Sequence, residues 1–224
     1  MSPTPTSAAA TTRAWPRPRA LLLDAMGTLI QLRRPLGQTY AEAAAAHGIA
    51  VEPEAIGRSF ARLYPAAPPL AFPPLAEEAL RQAEIGWWGR LIDAVLQETA
   101  GMAAPPALHR ELFEAFADPA LWQVYDDVPA HLERWQAAGL KLAVVSNFDS
   151  RLDGLLAGLG LAERFAVVVV SSRAGAAKPS PDPFRQALAA LDLPASAAWH
   201  VGDSPEDETG ARAAGLRCLL VRRP

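Results

Sequence analysis

Cysteine is almost missing from this chain of 224 residues, with Cys218 alone. One thiol cannot close an internal disulfide or build a Cys-cluster zinc site, which excludes a disulfide-stapled scaffold and a zinc finger. Lysine is nearly as scarce. It occurs only at positions 141 and 178, although Lys and Arg together number 21. Long apolar runs are missing too, and none approaches the roughly 20 residues that span a bilayer. Nor is there an excess of positive charge: 21 basic residues face 24 acidic ones, a formal charge of −3. That balance argues against an electrostatic nucleic-acid footprint. Neither a membrane nor a nucleic-acid partner is expected.

The first 19 residues, MSPTPTSAAATTRAWPRPR, contain no acid and lack the apolar middle of a secretory signal. They read as a flexible tail, with an organelle transit peptide as the alternative; a cytoplasmic location is expected. The rest has the composition of a packed protein, 50% hydrophobic and 20% charged. Wholesale disorder is thereby excluded, and the length accommodates one large domain or a core with a smaller insert.

Five segments share one pattern, a short apolar run flanked by helical sequence: ALLLD (20–24), KLAVVSN (141–147), FAVVVVSS (165–172), AWHVGD (198–203) and LRCLLV (216–221). Such runs predict strands buried on both faces of a parallel sheet. Between them lie helical patterns: 129–138 ending at Gly139, a helix after Asp149 or Ser150 with Leu152, Leu155, Leu156 and Leu159 inward, and one starting at Ser180-Pro181. The alternation predicts an α/β fold, a doubly wound parallel sheet whose ligands bind beyond the carboxyl ends of the strands. Residues 35–118 break the pattern. Ile56, Phe60 and Leu63, then Leu80, Trp87, Leu91 and Val95, then Leu108, Leu112 and Phe116 keep helical spacing, while APPLAFPP (67–74) reads as a connection. Gly86 and Gly89 weaken the middle helix. The expected organisation is a core of 20–34 and 119–224 with an all-helical cap of 35–118, placed to close over the strand ends.

Four fragments at those strand ends can carry chemistry. In DAMGTL (24–29) the carboxylate of Asp24 can act as nucleophile or metal ligand, or simply hold a turn. Ser146 and Asn147 can donate to phosphate or carboxylate oxygens, or cap a helix. Lys178, beside Pro179, offers a compact ammonium suited to a phosphoryl group, or is an ordinary solvated lysine. GDSPEDE (202–208) crowds Asp203, Glu206, Asp207 and Glu208 at one strand end. Carboxylates of this kind suit Mg²⁺, although Ser204 and Asp207 also fit a helix capping box. His200 reads as a satisfied core histidine. Trp87 and Trp88 read as packing residues, one of which could reach across to a substrate.

In this order the fragments resemble the four motifs of the haloacid dehalogenase superfamily, helical-cap subgroup, over residues 20–221. SNFDSR (146–151) and RPLGQTYAEAAAAHGI (34–49) look most like its "haloacid dehalogenase-like hydrolase domain-containing" branch. The resemblance implies a Rossmann-like core and a hydrolase, most readily a phosphatase acting on a small phosphorylated substrate. It makes Asp24 the nucleophile that forms an aspartyl-phosphate. Gly27, Thr28, Ser146, Asn147 and Lys178 would hold the phosphoryl group. Asp24, the backbone carbonyl of Met26, and Asp203 would bind Mg²⁺, supported by Asp207 or, one position on, Glu208. The chain departs from the family at Met26, where its phosphatases carry a second Asp that protonates the leaving alcohol. A thioether cannot, so turnover of alkyl phosphates is expected to be weak; Asp149 is a candidate replacement acid or, more simply, a helix cap. Two alternatives follow from Met26: a binding module for a phosphorylated ligand or protein that turns over little, and a 2-haloacid dehalogenase, a class that needs no Mg²⁺.

Overall fold

A computed structural model describes residues 17–223. The tail expected over 1–19 thus falls mostly outside the described residues, but Arg19 already bonds to both neighbouring strand starts, through Ala197 O and the N–H of Lys141. The chain then runs β1 (Ala20–Leu23), β2 (Ile30–Leu32), α1 (Leu36–Ala46), α2 (Pro53–Leu63), α3 (Glu77–Ala100), α4 (Pro106–Ala115) and β3 (Trp122–Val124). It continues through α5 (Val128–Ala137), β4 (Lys141–Ser146), α6 (Arg151–Gly158), β5 (Val167–Val170), α7 (Ser171–Ala174), α8 (Asp182–Leu191), β6 (Ala198–Gly202), α9 (Pro205–Ala213) and β7 (Arg217–Leu220).

All five expected strands form one parallel sheet, in the order β5-β4-β1-β6-β7. This is the predicted α/β doubly wound, Rossmann-like architecture. Alternate residues of β1 feed opposite faces. Leu21 and Leu23 join Leu132, Val144, Leu152 and Leu155 on one side, while Ala20 and Leu22 join Phe184, Ala187, Leu191 and Ala211 on the other. Each such leucine, fully enclosed, contributes about 1.5–3 kcal/mol of burial. Only the central strands are covered on both faces. Val167, Val168 and Val169 of β5 are partly exposed, as befits an edge. From β1 the chain builds outward to one side through β4 and β5, then returns to build β6 and β7 on the other. The strand order reverses around β1, so its carboxyl end is the topological switch point where such sheets bind ligands.

Several boundaries differ from the sequence reading. FAVVVVSS yields only a four-residue strand, because Ser171 and Ser172 turn into α7. α8 begins at Asp182 rather than Ser180, whose hydroxyl accepts a bond from the Asp182 N–H. A two-stranded ribbon was not anticipated at all: β2 and β3 pair antiparallel, with Ile30 opposite Val124 and Leu32 opposite Trp122. It stands where the chain leaves the sheet for the helices and where it returns.

Helices α1–α4 close on a core of their own, built from Tyr40, Ile56, Ile92, Val95, Leu108 and Leu112. α3 runs 24 residues without interruption despite its two glycines. At Gly89 a Cβ would stand 2.8 Å from Nδ1 of His109, so the missing side chain lets α3 and α4 approach. The proline-rich connection between α2 and α3 is tied down. Ser171 Oγ donates to Leu70 O at 2.6 Å, the Phe72 N–H to Ser172 O, and Trp87 Nε1 to Pro68 O.

Candidate active site

The carboxyl ends of β1, β4 and β6 bring Asp24, Ser146 and Asp203 side by side, and the loop before α8 adds Lys178. Asp24 is held by the sheet ladder itself, its N–H donating to Val201 O at 2.9 Å. The turn after it depends on Gly27, at φ +82°, where a Cβ would also collide with the Asp203 carboxylate. Thr28 Oγ1 donates to Asp203 Oδ1 at 3.1 Å, which fixes that carboxylate from the side.

Lys178 is buried between two acids, its Nζ 2.5 Å from Oδ1 of both Asp24 and Asp207. Burial alone would push its pKa down, but the charges of Asp24 and Asp207 outweigh it and hold the ammonium above its usual value. Asp207 has no oxygen to spare. Oδ1 accepts from Lys178 and from His200 Nε2 at 2.8 Å; Oδ2 accepts from the N–H groups of Asp203 and Ser204 and from Ser204 Oγ. Burial by itself would raise its pKa, but the bond from His200 and the Lys178 charge bring it below the usual carboxylate range. The capping box of α9 and a place in the carboxylate cluster, rival readings of Asp207, are therefore one arrangement.

Asp24, Asp203 and Asp207 each offer an oxygen within 4.8 Å of the others. Three carboxylates around one ammonium leave net negative charge. Asp203 registers it: restricted solvation, then the Asp24 charge, raise its pKa. A hard divalent cation fits this donor set, with Asp24 and Asp203 open to it and Asp207 behind, filled by other donors.

Several expected site residues are placed differently. Asn147 clamps rather than faces a ligand: Oδ1 accepts from the Lys178 N–H at 2.7 Å and Nδ2 donates to Lys178 O at 2.9 Å. Thr28, expected at the phosphoryl group, bonds Asp203 instead. Asp207, expected among the metal ligands, is already saturated. Glu208 pairs outward with Arg212 at 2.6 Å, which leaves Asp207 as the acid at the cluster. Asp149 is no free acid. Oδ1 accepts from Arg151 Nε and Oδ2 from Arg151 Nη2 and Trp88 Nε1, at 2.6–2.8 Å. It still opens α6, accepting the Arg151 N–H at 3.1 Å. His200 is only half satisfied, because its buried Nδ1 has no partner among the described residues; burial lowers its pKa, and Nε2 points at Asp207.

A cavity of about 720 Å³ opens above this cluster. Asp24, Met26, Gly27, Ser146, Asn147, Lys178 and Asp203 form its floor; Phe60, Tyr64, Trp88, Phe113 and Arg151 are among its other walls. The helical layer is fastened to the floor by groups that sequence reasoning missed. Glu84 of α3 is fully buried and accepts from Ser150 N at 2.9 Å and Oγ at 2.5 Å. Arg151 Nη1 donates to Phe113 O at 3.0 Å. The SNFDSR segment thus begins at the floor and ends in the roof. A Glu mid-helix, among Leu80, Trp87 and Leu91, was the available signal.

The model of the haloacid dehalogenase-like hydrolases matches residues 18–215. The chain is 40% identical over 215 residues to haloacid dehalogenase-like hydrolase domain-containing protein 3 of Homo sapiens, covering 92% of this chain and 82% of that one. It is 31% identical to a phosphoserine phosphatase of Thermus thermophilus, covering 92% and 89%. Among solved structures, the 2-haloacid dehalogenase of Pseudomonas syringae superposes with a TM-score of 0.61 at 25% identity, covering 91% and 86%. With four motifs converged at one switch point and a family match over nearly the whole chain, this protein belongs to the haloacid dehalogenase-like hydrolases.

Proposed function

We propose that the protein is a Mg²⁺-dependent phosphatase acting on a small phosphate monoester through an aspartyl-phosphate. The observation that supports it most is the placement of Asp24 at the switch point with the buried Lys178 ammonium 2.5 Å from one of its oxygens. Lys178 holds Oδ1 and leaves Oδ2 to attack phosphorus. The ester P–O bond breaks and its electron pair leaves with the alcohol oxygen. Water then attacks the phosphorus of the aspartyl-phosphate, which releases orthophosphate and restores the Asp24 carboxylate. Lys178 and Ser146 both line the cavity at this position and would offset or bind the phosphoryl oxygens. Mg²⁺, held by Asp24, Asp203 and the Met26 carbonyl, would supply the remaining positive charge against the dianion. Asn147 keeps the Lys178 backbone in place, and Asp207 with His200 behind it keeps the Nζ aimed. The helical layer would serve as the cap that excludes bulk water.

Met26 is 46% exposed at the cavity floor and carries no proton, and Asp149 is occupied, so the leaving group departs with little acid assistance. That absence also keeps the dehalogenase reading in play, since Asp24 could attack carbon and displace halide. The convergence of three carboxylates favours the cation-dependent chemistry. The test is a panel of alkyl and phenyl phosphates with Mg²⁺, run on the native chain and on Met26→Asp, with chloride release from 2-haloacids in parallel. The variant should gain roughly 10²–10⁴-fold on alkyl phosphates and much less on phenyl phosphate. Chloride release would replace the phosphatase reading, and silence of both chains on every substrate would favour a binding module.

A further inference from the structure

The upper cavity carries a selectivity of its own. Phe60, Tyr64 and Trp88 form a stacked column, with centroids 5.4 Å and 6.0 Å apart and planes within 9° and 12° of parallel. Trp87 meets Trp88 edge-on at 4.9 Å, and Phe113 lies opposite under the Arg151 guanidinium at 4.0 Å. Among the described residues, the charged ones lining the cavity apart from the acids and Lys178 of the floor are Glu206 and Arg151. Arg151 is already neutralised by the bidentate grip of Asp149, at side-chain exposures of 7% and 0%. A leaving group with a carboxylate or a second phosphate would therefore meet an apolar aromatic wall and Glu206, with no free cation among the described residues to receive it. A flat uncharged ring would meet surfaces of its own kind.

Met26 selects in the same direction. A phenol leaves as an anion whose conjugate acid has a pKa near 10, as for tyrosine, so it departs without the proton that an alkoxide requires. We infer that the substrates are aryl phosphate monoesters with an uncharged leaving group, the ring packed against the edges of the Tyr64–Trp88 column and the phosphoryl group over Asp24 and Lys178. The inference rests on the phosphatase reading for its chemistry, but its ring-recognition half stands separately. In the reaction Asp24 Oδ2 bonds to phosphorus as the aryl P–O bond breaks. The phenolate carries away the electron pair and takes its proton from water.

Three esters with leaving groups of similar acidity isolate recognition from chemistry: phenyl, 1-naphthyl and 4-carboxyphenyl phosphate, assayed with Mg²⁺. The expected result is a KM about 10-fold lower for 1-naphthyl than for phenyl phosphate, and a kcat/KM at least about 10-fold lower for the carboxylated ester. Tyr64→Ala should abolish the naphthyl preference, and Tyr64→Phe, which keeps the ring and reports on folding, should retain it. Equal or better turnover of the carboxylated ester, or no naphthyl preference, would overturn the inference and leave the phosphatase reading intact. Calorimetric titration with 1-naphthylphosphonate, which cannot be hydrolysed, covers the other case. Binding without turnover of any ester sinks the phosphatase reading and supports ring recognition; no binding sinks ring recognition itself.

Discussion

The floor and the roof of the cavity are built on opposite principles. The floor is a crowd of charges: Lys178 contacts two carboxylates, Asp207 accepts five donors, and Thr28 and Asn147 brace their neighbours. The roof is a sheaf of rings around one ion pair that faces inward on itself, Arg151 with Asp149. A preorganised charged site does chemistry on whatever reaches it, because its groups need no rearrangement as charge develops. An aromatic roof offers no reactive group and, on the reading proposed above, selects what reaches the floor. The two are also tied together, since residues 146–151 run from the cavity floor at Ser146 to the buried contacts with Glu84 and Trp88.

The largest effect that separates the two regions should come from Asp24→Asn. An amide is a poor nucleophile, and phosphate release from phenyl phosphate should fall at least about 10⁴-fold. The roof is untouched, so binding of an aryl phosphonate should persist. Retention of a tenth of the activity would remove Asp24 from its assigned role and, with it, the division of labour between floor and roof.

The floor was far more legible in the sequence than the roof. Asp24, Ser146 and Asp203 each close a short apolar run, so the sheet topology brings them together whatever the loops do. Lys178 stood out as one of two lysines. The misplacements concern what each side chain faces: Asn147 and Thr28 have the right chemistry at the right end, but spacing does not tell a ligand-facing amide from one that braces its neighbour. The β2–β3 ribbon escaped because three residues carry no period and the partners lie about 90 positions apart. The helical layer of the roof was expected, but its latch escaped for the same reason at larger scale. Glu84, Trp88 and Asp149 are ordinary in their own segments, and only tertiary packing makes one latch of them.

Breaking that latch is the next largest effect. Asp149→Asn leaves the Arg151 guanidinium enclosed between Phe113 and Trp88 without its counterion. Losing one partner of a buried pair costs about 3–5 kcal/mol, and Arg151→Met should cost a similar amount by stranding Asp149. The double variant Asp149→Asn with Arg151→Met should be clearly more stable than the sum of the two losses, as seen in urea unfolding at constant m-value. Additivity within about 0.5 kcal/mol would mean that the two groups do not neutralise each other, and the case for a roof without a free cation would weaken with it.

The smallest effect tests whether the roof is as tightly built as the floor, using two glycines three residues apart on α3. Gly86 has open space beside it, the nearest neighbour of an added Cβ being Arg90 Nη1 at 3.7 Å. Gly86→Ala should therefore stabilise the protein by about 0.5–1 kcal/mol through helix propensity alone. At Gly89 the same methyl meets the His109 ring at 2.8 Å. That ring cannot swing away freely, because Nε2 donates at 2.8 Å to Asp93 Oδ1, which also accepts the Ala104 N–H. Gly89→Ala should lose the propensity gain and about 1–3 kcal/mol more as α3 and α4 are forced apart. Thermal melts of the two variants should thus shift in opposite directions. A rise in both would show that the α3–α4 contact is loose, and that the aromatic column carried on α2 and α3 is less firmly set than the charged cluster below it.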